Sequence, residues 1–200
     1  MPSISLTSLV DFVSKAGAPK QTCAAKIKAQ LAAGYDPARD YYRGIREAII
    51  ETHQEGMGKS HITTAVQSAS PRRYSTYEEL ARDYISWWGR KRVTWFDPPR
   101  AGWEAGHGFE VRVNPEMGLK INGDRHVIKL YFKPEKLAKQ RVEIITHLMH
   151  HELAGELPAG TRFSVLDIRS RKLHTIVPPT YWGPLLMAEI AYLAALWPHV

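Results

Sequence analysis

The 200-residue chain has one cysteine, Cys23. No disulfide can form within it, so a reducing compartment fits best. The first residues, MPSISLTSLVDFVSKAG, lack the basic run and apolar stretch of a secretory leader. No apolar run approaches the roughly 18 residues needed to cross a bilayer. The longest candidate, Leu185 to Trp197, is too short and carries Glu189. These absences predict a cytoplasmic protein with no membrane partner. Internal repeats, low-complexity tracts and long linkers are also missing, which excludes solenoid and disordered architectures. No Gly-x-Ser-x-Gly elbow supports serine hydrolase chemistry. Gly56-Met-Gly-Lys-Ser60 lacks the earlier glycine and the preceding strand of a phosphate-binding loop. It reads instead as a helix stop followed by a helix cap.

What the chain does have is positive charge and large aromatics. The net charge is +7, with six Trp and nine Tyr. Residues 73–142 hold fourteen of the 27 Lys and Arg against nine of the 20 Asp and Glu. A localised basic surface attracts polyanions, chiefly nucleic acid.

The hydrophobic pattern divides the chain at about residue 72. Helical spacing predicts helices over 5–15, 20–32, 36–54 and 60–68, the third opened by Asp36 with Pro37 in its first turn. Ser70-Pro-Arg-Arg73 reads as a break. Ser75-Thr-Tyr-Glu78 reads as a capping box opening a fifth helix to Trp88. Short alternating runs follow at 93–96, 109–113, 119–121 and 126–132, with 97–102 as a loop. Asn122-Gly123-Asp124 is the strongest hairpin corner. A helix over 135–153, a hairpin over 163–177 and a last helix over 181–196 complete the order. The expected fold is α+β (mixed α/β). A helical N-terminal module, 1–72, precedes a mixed-sheet core, 73–200, flanked by helices. Strands 109–113, 118–122 and 126–132 are expected to form one antiparallel meander. The helix at 135–152 is expected to pack Leu137, Val142, Ile145 and Met149 on that sheet.

Within the hairpin, Glu116 and Lys129 share a face in either of two turn registers. A two-residue Asn122-Gly123 turn sets them directly opposite; a Gly123-Asp124 turn sets them diagonally. Gly118 is expected to leave space beside the lysine. A carboxylate and a lysine so placed suit metal-assisted phosphodiester hydrolysis. The carboxylate would hold a divalent cation, and the lysine would orient water and balance charge. The helix-strand order across 75–168, Pro115-Glu116 at a strand interruption and a lysine in the next long strand together resemble the PD-(D/E)XK, or restriction-endonuclease-like, fold. That resemblance implies a nuclease-like core, Mg²⁺ as the cofactor of any cleavage, Glu116 as metal ligand and Lys129 as the water-orienting group. It also implies an acidic residue two positions before the lysine, where this chain has Val127. Glu110 or Glu79 would then supply the second carboxylate.

Arg90, Lys91, Arg92, Lys133, Lys136 and Lys139 are the candidate phosphate contacts. With Lys129 they could line one groove beside Trp87, Trp88, Trp95 and Trp103. His147 and His151 share a helix face, but Leu148 stands where a hydrolytic zinc helix needs Glu. The functional expectation is a nucleic-acid-associated protein that binds DNA or RNA without a complete catalytic site. The alternatives are a Mg²⁺-dependent nuclease using Glu116 and Lys129, or a non-catalytic module with a protein partner.

Overall fold

The computed structural model describes residues 1–34, 36, 40–177 and 179–200. Its element order is β1 (Ser3–Ser5), α1 (Leu6–Val13), α2 (Gly17–Ala33), α3 (Arg43–Gln54), α4 (Ser60–Gln67), α5 (Pro71–Trp88), β2 (Val93–Phe96), β3 (Ala101–Gly106), β4 (Phe109–Val113), β5 (Met117–Ile121), β6 (Asp124–Tyr131), α6 (Lys139–Leu153), β7 (Arg162–Asp167), β8 (Lys172–Thr175) and α7 (Trp182–Leu196). The chain is α+β.

Two sheets carry the fold. One is five-stranded, in the order β2-β5-β6-β7-β8; the other is three-stranded, β1-β4-β3. The expected meander therefore does not form. Strand β4 pairs in parallel with β1 and antiparallel with β3, leaving β5 to pair with β2 and β6. The physical reason is Asn114-Pro115. Proline cannot donate to a ladder, so the strand breaks there and the chain passes to the other sheet. Two strands escaped the sequence reading. Strand β1 is three residues long, and β3 (Ala-Gly-Trp-Glu-Ala-Gly) is poor in β-branched residues.

The Asn122-Gly123 corner behaves as its chemistry requires. Both residues have positive φ, 52° and 108°, and Ile121 pairs with Asp124 across a two-residue turn. This register sets Gly118 opposite Val127. Met117 pairs with Ile128 next, and one step further Glu116, just before β5, comes opposite Lys129.

Both faces of the five-stranded sheet are buried. Ile128, Leu130 and Phe132 pack with Tyr77, Leu80 and Tyr84 of α5 and with Ile45 and Ile49 of α3. Val127 and Tyr131 point the other way, into a second core built on α6, α1, α2, α7 and the inner face of the small sheet. Helix α6 is buried on most sides. Val142, Ile145 and Met149 are covered as expected, and so are Ile144 and Leu148. The helix begins at Lys139 rather than 135, because Ala138 is still extended. Helix α5 begins at Pro71, four residues before the expected capping box. Proline is well placed in a first helical turn, and Ser75 lies inside the helix. Helix α1 is capped as its sequence suggests, with the Ser5 hydroxyl accepting from the Ser8 amide at 3.0 Å. Pro37, expected to open the third helix, lies outside the described residues; α3 itself starts at Arg43.

The boundary expected at residue 72 runs through shared cores. Ile4, Leu9 and Phe12 belong to the core of α6 and α7. Ile45, Ile49 and Ile62 belong to the core of α5 and β5–β6.

Candidate functional site

The site begins where β5 ends. Strand β6 runs on past the first residue of β5, so the amide of Leu130 has no strand partner on that side. Glu116 supplies one. Its Oε2 accepts from the Leu130 N–H at 2.8 Å, and its Oε1 accepts from Lys129 Nζ at 2.6 Å. The same ammonium donates to the Asn114 carbonyl at 2.9 Å. Both side chains of the pair are about 14% exposed. The cluster thus pins the chain where it crosses from the small sheet to the large one.

This arrangement leaves little for a metal. Both Glu116 oxygens are already engaged. Glu79 lies on α5, on the opposite face of the sheet, paired with Arg169 at 3.2 Å. Glu110 belongs to β4, and its carboxylate lies over Gly102, where a Cβ would come within 2.1 Å of it. The three carboxylates named from the sequence are therefore in three places. Among the described residues no group of three His, Cys, Asp or Glu is placed to hold a metal ion. Nor does Gly118 open space beside Lys129. A Cβ there would meet the Phe96 carbonyl at 2.3 Å and its ring at 2.7 Å. The glycine serves the close approach of β2 to β5.

A cavity of about 220 Å³ adjoins the pair. It is walled by Val10, Leu137, Ile145 and Val165 and edged with charge. Asp40 and Tyr42, from the segment leading into α3, and Arg46, in its first turn, close it. Arg46 pairs with Asp40 at 2.6 Å, and the Tyr42 ring stacks on Phe132 with centroids 5.4 Å apart. Asp40 is the second carboxylate facing the Glu116–Lys129 cavity. The sequence reading missed it because it lies 76 positions earlier, and only the packing of α3 against β6 brings it near.

The candidate phosphate contacts fall into two groups. Strand β2 runs parallel to β6 in the sheet, so Arg92 lies beside the start of β6. Lys133 follows its end. Seven strand steps separate those ends, about 23 Å. Arg90-Lys91-Arg92 and Lys133, Lys136 and Lys139 cannot line one groove. Their separation follows from strand direction, which charge spacing does not encode.

At the first end, Lys91 is committed to the fold. Its ammonium meets the Trp87 carbonyl at the C-terminus of α5 and lies 5.2 Å from the Trp87 ring. Lys59 caps the same terminus, donating to the Gly89 carbonyl at 2.6 Å. Both complement the negative end of the helix dipole. Arg90 and Arg92 are exposed. Beside them the register aligns Thr94, Lys120 and Arg125 across three strands on one face. The strand pairing reaches Arg92, whose amide donates to Asn122 Oδ1 at 3.0 Å. Among the described residues none of Arg90, Arg92, Lys120 and Arg125 has an ion-pair partner. The Arg125 guanidinium rests 4.9 Å from the Phe96 ring centroid, and Trp95 donates its indole N–H to Asp97 at 2.9 Å. Lys120 and Arg125 were not singled out from the sequence. Only pairing makes them neighbours of Arg92.

Comparison with protein-family models, with curated proteins and with solved structures finds no match to this chain. No helix among the described residues is long and apolar enough to cross a membrane.

Of the tryptophans beside the basic run, two are core residues rather than a stacking surface. Trp87 and Trp103 are buried in the two cores, and Trp88 packs on His53 with centroids 4.4 Å apart. His147 and His151 do share a helix face, their rings 6.1 Å apart. Burial lowers the pKa of His147, and its two histidine neighbours lower it further.

Proposed function

We propose that this protein binds nucleic acid through the β2–β5–β6 margin, by phosphate contacts, and does not cut it. One observation carries the reading. Lys120 and Arg125 face each other directly across β5–β6, with Arg92 next along β2, and among the described residues none of the three has an ion-pair partner. Like charges directly opposite on a sheet destabilise it. A phosphate backbone laid along this margin would offset that repulsion and release its own counterions. Phe96, under Arg125, is held at the same margin.

The nuclease-like core is supported by element order: α5, the β5–β6 hairpin, the crossover helix α6 and then β7 parallel to β6. The non-catalytic form is favoured because the Glu116 carboxylate serves Lys129 and Leu130, and because Val127 is buried in the apolar core where the nuclease pattern needs an acid.

The test is fluorescence anisotropy with labelled single- and double-stranded DNA and RNA, in Mg²⁺ or EDTA, over a salt series. Affinity should fall linearly in log–log form as salt rises. Lys120→Glu with Arg125→Glu should weaken binding at least about tenfold and equally for all sequences, since phosphate contacts carry no base information. Lys139→Glu, at the other end of the sheet, should have little effect. Absence of binding at low salt would end this reading. Cleavage abolished both by EDTA and by Lys129→Met would replace it with the Mg²⁺-dependent nuclease.

A further inference from the structure

A second basic site lies at the opposite end of the sheet. Helices α1 and α2, the end of β6 and the start of α6 enclose a cavity of about 750 Å³. Lys15, Lys26, Lys133, Lys136 and Arg141 line it, against Asp11 and Glu135. One of these acids is already overmatched. Asp11 accepts from Lys133 Nζ at 2.8 and 3.0 Å and from Arg141 Nη1 at 2.6 Å. Two cations on one carboxylate leave a surplus positive charge held by a rigid triad. Burial by itself raises the Asp11 pKa. The hydrogen bonds and charges of Lys133 and Arg141 outweigh that and keep the carboxyl below its usual range. The acid therefore stays ionised, and the triad stays assembled, well below neutral pH.

Around this triad Lys15, Lys26 and Lys136 are exposed, and none has an ion-pair partner among the described residues. They come from three separate segments: the end of α1, the middle of α2 and the approach to α6. Lys15, Lys26 and Lys133 line one recess together with Cys23, so the charges gather in one place rather than spread along a track. Ser8, Thr22 and Gln30 line the same space; the Thr22 hydroxyl donates to the Ala18 carbonyl and the Ser8 hydroxyl is bonded to Ser5, so Gln30 is the neutral amide beside the cations.

We infer that this cavity is a binding site for a compact phosphoanhydride, a ligand with two or three linked phosphates. Three mobile ammonium groups around a fixed cationic triad suit a short, densely charged chain. A long backbone would need its charges in a line. The shared chemistry could come from a free inorganic polyphosphate or from the phosphate tail of a nucleotide. The site is separate from the proposed nucleic-acid margin, which lies at the other end of β6.

The experiment is titration calorimetry of the full chain with inorganic triphosphate and, in a second arm, with ATP, both without divalent metal. Saturable binding of one ligand per chain is expected, together with a rise in melting temperature as ligand exceeds its Kd. Binding of both ligands would show that the phosphate chain alone is read; binding of ATP alone would assign the nucleotide as the source. Lys26→Gln combined with Lys136→Gln should weaken either ligand about tenfold or more, while Lys139→Gln should not, its side chain being 85% exposed and paired only loosely with Glu143. These exposed lysines have no structural partner, so the double variant should keep the wild-type melting temperature without ligand. The inference fails if neither ligand binds. It also fails if Lys139→Gln or Lys120→Glu weakens triphosphate binding as much as the cavity variant does. It fails too if the cavity variant weakens a single-stranded oligonucleotide equally, for the recess would then be part of the nucleic-acid surface.

Discussion

Lys129 shows how burial changes the meaning of a residue. On an exposed hairpin, an ion pair with Glu116 would contribute at most about 1 kcal/mol. Here both partners are mostly covered, and the ammonium also holds the Asn114 carbonyl. Lys129→Met should therefore cost about 1–3 kcal/mol in urea unfolding, because it leaves a mostly covered carboxylate short of a donor. Adding Glu116→Gln should recover part of that loss. An unchanged unfolding midpoint in Lys129→Met would refute the structural role. His53 offers a second residue-level prediction. It is buried beside Trp88, with Nε2 2.6 Å from the Tyr84 hydroxyl, and burial lowers its pKa from 6.5 to about 4. The unfolded chain takes up this proton first as pH falls. Stability is therefore complete above about pH 6.5 and declines toward pH 4, by roughly 3 kcal/mol from this group. His53→Gln should flatten that part of the urea-unfolding profile. A profile as steep as the wild type's would assign the acid sensitivity elsewhere.

At the scale of elements, the corner and periodicity signals worked where they were local. Asn122-Gly123 placed the β5–β6 turn, because only residues tolerant of positive φ make that corner. Apolar spacing identified α6 and its buried face. The same logic failed for β1 and β3, which owe their strand form to a neighbour. Ser3–Ser5 is extended because it lies along β4, and Ala101–Gly106 because it pairs with the other side of β4. Alternation at 109–113 correctly marked a strand but not its sheet. Pro115 interrupts the ladder, and which strand then pairs with which is settled by packing across the sequence. Position two before Lys129 is instructive as well. Val127 is buried in the second core with residues of α6, so an acid at that position would have to be buried there.

At the scale of the whole molecule, the two ends of the large sheet divide the basic charge. One end presents Arg92, Lys120 and Arg125, and the other presents the recess of Lys15, Lys26 and Lys136. The N-terminal segment is woven through both cores, which yields a further prediction. A chain of residues 73–200 should not fold by itself, because removal of Ile4, Leu9, Phe12, Ile45 and Ile49 would uncover apolar surface on both sheets. Circular dichroism and a cooperative melt would check this, and a sharp native-like transition in the fragment would show the module boundary to be real. The α+β class, the helical first part, the β5–β6 hairpin and the facing of Glu116 toward Lys129 were all determined by the sequence itself, since each rests on periodicity or on a local corner, the Glu116–Lys129 pair spanning only the 13 positions of one hairpin. The partners of β4, the entry of Asp40 into the Glu116–Lys129 cavity and the separation of the basic residues into two groups were decided only by the tertiary structure. Strand order and direction set those distances, and they arise from burying two cores at once rather than from any local pattern.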